Sequence, residues 1–186
     1  MDRRYALTRA AALGAAAALW NTRAFCAVFM EIDQARKLLL PKAAGFALVP
    51  LKLDAGVVAS VAAATQTRPP ATWHPAAWVG TDSDGQRAGY VLADQAVGKY
   101  ELIDFAVGFM PDGTLTQVEV LAYRESHGGE IRNAAWRRQF AGRRGPAQVR
   151  FGEDIRNISG ATLSCQHVTE GVQRLAALAQ SQLLRP

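Results

Sequence analysis

Cysteine is almost missing from this chain: two residues, Cys26 and Cys165, in 186. Two thiols cannot build a disulfide framework. Neither belongs to a Cys-x-x-Cys or Cys-x-x-Cys-His spacing, which excludes zinc ribbons and covalent haem attachment. Histidine is as scarce. His74, His127 and His167 lie far apart with no His-x-x-x-His spacing, so no metal site is expected. No Gly-x-Gly-x-x-Gly follows a strand-like run, which removes the dinucleotide-binding fold, and no Gly-x-Ser-x-Gly elbow is present for a hydrolase. The Ala-rich run over residues 10–20 has only eleven residues, short of a comfortable membrane span. A strong positive charge is missing too, once the N-terminus is set apart. Arg3, Arg4, Arg9 and Arg23 against Asp2 hold +3 of the net +5, leaving +2 for residues 25–186. Nucleic-acid binding thereby loses its main support.

What is present is an ordinary globular balance, 49% apolar and 20% charged, enough for one domain with a real core. The first 26 residues read separately. A basic start ahead of the short apolar run has the form of an export signal, and Arg3-Arg4 points to twin-arginine export. Processing is expected near Ala24 or Cys26, the alternative being an uncleaved membrane anchor. The domain itself is expected over residues 31–186, at a periplasmic or other extracytoplasmic membrane face.

Along that domain, residues 31–40 carry Ile32, Ala35, Leu38 and Leu39 at helical spacing and stop at Pro41. Residues 45–53 read as a strand, and Asp54 as the cap of a second helix through Val57, Val58 and Val61. Residues 65–75 hold Pro69, Pro70 and Pro75 and read as a loop. Trp73 and Trp78 are read as packing for the nearby sheet, with cover for a ligand ring as the alternative. Strands follow at 78–81 and 89–94 around an Asp84-Gly85 turn, then at 99–109 and 115–124 around Pro111-Asp112-Gly113. In this meander Ile103, Phe105, Val107 and Phe109 alternate with Asp104 and Gly108, predicting one buried sheet face. The fold class is α+β: an antiparallel sheet with hairpins, bracketed by helices.

The chain converges on residues 154–173. Ser159-Gly160-Ala161-Thr162 is a turn of small residues, after which Val168, Val172, Leu175, Ala179 and Leu183 line one face of a long C-terminal helix. Ser159, Thr162 and Ser164 are expected to cap its free N–H groups, and Gly160 to let a bound group approach the main chain. A helix start of this kind attracts anions, phosphate above all.

This stretch resembles the attachment motif of the FMN-binding domain family, Asp-x-x-Ser/Thr-Gly-Ala-Thr, found in the flavin subunits of sodium-pumping quinone reductases and Rnf-type complexes. The resemblance implies that the Thr162 hydroxyl is joined to the FMN phosphate by a separate flavin transferase, with Ser159, Gly160, Ala161, Leu163 and Ser164 around it. One departure concerns the motif acid, whose place is taken by Arg156, the nearest acid being Asp154. Residues 97–101, 123–130 and 136–142 also look like family blocks, in the family's order, and the likeness extends over residues 31–184. The block at Glu125 corresponds to a Glu-Thr-x-Gly segment beside the flavin, which adds Glu125, Ser126, Gly128 and Gly129 as cofactor contacts. The ring is then expected between the 125–129 loop and the sheet. The implied role is electron transfer with a membrane redox partner. Non-covalent FMN binding and a flavin-free sensory or structural module remain as alternatives.

A hydrolase reading would take Cys165 or Ser164 as nucleophile, His167 as base and Asp154 as orienter. Positions two apart on a helix face different sides, so Cys165 and His167 should not meet; Cys165 reads as a small buried residue. Arg137, Arg138, Arg143 and Arg144 read as a solvated basic face, with an acidic redox partner or the flavin phosphate as the alternative.

Overall fold

The computed structural model describes residues 27–184, so the expected export signal lies outside the described residues. Among the described residues, six strands form one antiparallel sheet in the order β1-β6-β5-β4-β3-β2. They are β1 (Ala27–Val28), β2 (Gly45–Val49), β3 (Ala76–Thr81), β4 (Arg87–Val97), β5 (Leu102–Phe109) and β6 (Leu115–Tyr123). From β2 to β6 each strand pairs with the next in sequence, which is the expected meander. The turns are built by local chemistry. Asp82 Oδ1 accepts from the N–H groups of Asp84 and Gln86, and Asp112 Oδ1 from that of Thr114, the side chain holding its own turn closed.

Helix α1 (Ile32–Leu39) and helix α2 (Ala55–Thr65) fall where periodicity put them. Asp54 caps α2, its carboxylate accepting from Val57 N at 2.9 Å. Helix α4 (Thr162–Gln182) lies across the sheet beside α2, against β4 and β5. Val168, Val172, Leu175 and Ala179 are fully buried there, facing Phe105, Val107 and Phe109. Between β6 and α4 the chain runs through short turns and the one-turn helix α3 (Ala134–Arg137), whose Trp136 meets Phe140 edge-on at 5.1 Å.

Two expectations need correction. The sheet does not bury one face only: α1 covers the other, and Ala106 and Val91 close a second core with Ala35, Leu39 and Leu40. Alternation along β5 therefore fails as a guide to exposure, because both sides are covered. Residues 99–101, read as the start of a strand, instead form the turn between β4 and β5. They are held there by a carboxylate distant in sequence, that of Glu125, which accepts from the N–H groups of Tyr100 and Glu101.

Candidate functional site

Ser159 and Gly160 are exposed and Gly160 has φ +87, with nothing within 4 Å of where a side chain would begin. That backbone is one that glycine adopts freely, and it turns the chain into α4 while leaving open space above it. Ala161 occupies the N-cap position, and among the described residues no side chain caps the helix. This corrects the expectation that Ser159, Thr162 and Ser164 would do so. Thr162 Oγ1 accepts from Asn157 Nδ2 at 2.8 Å, and Ser164 Oγ is engaged with Tyr123 Oη at 2.9 Å. The first helical hydrogen bond runs from Cys165 N to Ala161 O. The N–H groups of the first turn are thus uncapped at the positive end of the helix dipole. Thr162 and Leu163 are exposed beside them, whereas Ala161 and Ser164 are buried.

The 125–129 loop meets this helix start. Tyr123 at the end of β6 donates through its hydroxyl to His127 O and touches Ser164. A side chain on Gly128, which has φ +87, would lie 2.5 Å from Tyr123 Oη and 3.0 Å from Ser164 Oγ. Glycine is needed there so that the loop can close on α4. Ser126 and Gly129 are exposed, and Ser126 Oγ bonds His127 Nδ1 at 2.9 Å. Desolvation pushes the Glu125 carboxyl up, but hydrogen bonds from the Glu101 and Tyr100 N–H groups outweigh it and hold its pKa below the ordinary value. Glu125 therefore braces the 98–101 turn.

Cys165 is fully buried, and burial raises its thiol pKa. His167 turns to another side of the helix, its Nδ1 meeting Val97 O at 2.5 Å and Gly98 O at 3.1 Å. The hydrolase arrangement does not form. Asp154 is held by Arg150 at 2.9 Å and Arg143 at 3.5 Å. Among the basic residues, Arg137 pairs with Glu119, Arg144 with Asp112, and Arg143 also donates to the carbonyls of Gln139, Gln148 and Asp154. Exposed Arg156 is tied at its backbone, its carbonyl accepting from Trp136 Nε1 and its N–H donating to Gln139.

Beyond His167, a cleft of about 550 Å³ opens between α4, the end of β4 and the 67–74 loop, a size typical of small-molecule sites. Trp73 is buried in its wall and donates to Asp94 Oδ2 at 2.8 Å. Arg174 lines the opposite helix. Sequence reasoning missed these partners. Trp73 and Asp94 are 21 residues apart with no pattern joining them, but an arginine between Val172 and Leu175 on a buried helix was a readable sign.

An uncapped helix start suits a phosphate, a small-residue turn leaves room for it, and a cleft of small-molecule size runs along the same helix. FMN fits these residues. They define an α+β domain with an uncapped helix start and, from His167 onward along the same helix, a cleft of small-molecule size. The family model described as the FMN-binding domain matches residues 98–177. The chain therefore carries an FMN-binding domain, which makes it a flavoprotein with FMN as cofactor. The match runs from the 98–101 turn through β5 and β6 into α4, including every site residue named from the sequence. No curated protein matches the chain.

Proposed function

We propose that the protein is an exported electron-transfer flavoprotein whose FMN is esterified to Thr162. The observation that carries this reading is the exposed Thr162 hydroxyl, standing at an uncapped helix start behind an open glycine turn. Attachment needs a hydroxyl that an incoming transferase can reach and a place for the phosphate once it is joined. Thr162 supplies the first, and the free N–H groups of α4 the second. In the transfer, Thr162 Oγ forms a bond to the phosphorus of an activated flavin phosphate, a flavin dinucleotide. The phosphoanhydride bond breaks, the nucleotide leaves, and the hydroxyl proton passes to the transferase.

The bound flavin supplies the redox chemistry, while the chain's residues position it and shape its surroundings. The basic N-terminal segment with its short apolar run supports export to an extracytoplasmic membrane face. A tethered cofactor is not lost by diffusion there, and the electron partner is a membrane redox protein. Arg156 in place of the motif acid favours a second reading, non-covalent FMN in the same site.

Coexpression with a flavin transferase, followed by denaturing electrophoresis, separates the two. A fluorescent band is expected for the wild type and none for Thr162→Val. A labelled Thr162→Val protein refutes the attachment point, and an unlabelled wild type that still binds FMN favours the second reading. The mass of the exported protein reads leader cleavage and modification together.

A further inference from the structure

Arg174 is 6% exposed, yet its guanidinium makes no hydrogen bond or ion pair among the described residues, and its Nε is buried without a partner. Asp94 and Glu170 act on it only at longer range. Holding a buried cation with no contact partner is costly, and the space it faces is the cleft beside α4. Resting on the reading that FMN is anchored at Thr162, we propose that the flavin ring lies in this cleft, with Arg174 facing its electron-rich pyrimidine edge.

The positions along α4 support this. Thr162 and Arg174 are twelve residues apart, about 18 Å at the helical rise. A long helical side chain leans toward the N-terminus, bringing the guanidinium back to within about two turns of Thr162. An extended ribityl phosphate ending in a ring covers that interval. Exposed apolar side chains lie near the path between the two ends, beside the polar His167 and Glu170 that line the same cleft. Leu163 is 43% exposed, Val97 55% and Leu102 39%. Val97 and Leu102 pair across the β4–β5 turn and line the cleft mouth, while His167, one turn beyond Leu163, ties α4 to the Val97 carbonyl. Exposed apolar side chains leading from an attachment hydroxyl into a cleft are what a ring and its tether would cover. The far wall, with Trp73 and Asp94, comes from residues before the matched span 98–177. In this arrangement the 125–129 loop braces the helix start and the ring lies on the other side of His167.

Reduction by two electrons and one proton leaves a negative charge on the N1–C2=O edge of a flavin. A guanidinium facing that edge favours the reduced form. Electrode titration of FMN-labelled protein is the test. Arg174→Gln is expected to move the midpoint potential to a more negative value, with Arg174→Lys restoring most of the shift. An unchanged potential in labelled Arg174→Gln overturns this inference while leaving attachment at Thr162 intact. Should the wild type take no label, titration of free FMN decides: Arg174→Gln weakening binding about tenfold, the loss of roughly one charge-assisted hydrogen bond, supports the cleft, and unchanged affinity overturns it. Should Arg174→Gln not fold, Thr72→Trp on the exposed rim fills the cleft instead. Abolished FMN binding then supports the assignment and undiminished binding refutes it.

Discussion

Single residues on α4 decide how closely the helix approaches the sheet. Gly171 is buried in mid-helix, and a methyl group there would lie 2.5 Å from Phe105 Cζ. Helix propensity alone says that Gly171→Ala should stabilise by up to about 1 kcal/mol. Overpacking against a buried ring costs about 1–3 kcal/mol, and Phe105 is fully buried. Packing wins, so Gly171→Ala is expected to lower stability by about 1 kcal/mol net, read from the denaturant midpoint. Thr162→Val is the contrasting case. It removes one exposed hydrogen bond to Asn157 and should change stability by no more than about 0.5 kcal/mol. The sequence made Thr162 legible because a small-residue turn ahead of a periodic helix is a local pattern. It could not show that Thr162 and Ser164 leave the helix uncapped, because the competing partner of Ser164 is Tyr123, 41 residues away.

The elements divide in the same way. Both Asp-Gly hairpins and the Asp54 cap were readable because each is closed by a side chain within four residues. The 98–101 turn was not, since its clamp is Glu125, 25 residues beyond Tyr100, and apolar flanks made it look like strand. Helix α1 was legible as a helix but not as the cover of a second sheet face, because no periodicity within one element says which surface it meets. The clamp has a pH signature. Glu125 has a depressed pKa in the folded state, so its contribution is fully present above the ordinary glutamate value of 4.5 and is lost as pH falls through the folded value. The stability gap between wild type and Glu125→Gln should therefore be open at neutral pH and narrow below about 4.5. A gap that stays constant across paired denaturation curves at the two pH values would remove the clamp's ionic character.

At the scale of the whole molecule, α4 both builds the core and presents the exposed Thr162, the proposed attachment point. Its C-terminal end is fastened as well, Gln182 exchanging hydrogen bonds with the backbone of Lys52 at 2.6 and 2.9 Å. Function at the helix start should then depend on packing two to four turns away, with no contact between the two. Leu175 is fully buried in mid-helix, and Leu175→Ala is expected to cost about 2–5 kcal/mol through lost burial and a cavity, lowering Tm. Labelling of Thr162 separates this from chemistry at the hydroxyl. Leu175→Ala should accept flavin at low temperature and lose it as the melting range is approached. Thr162→Val should take none at any temperature while melting like the wild type. If Leu175→Ala were unlabelled even where it is folded, the helix would be transmitting strain to its first turn, and the core could not be regarded as a passive support.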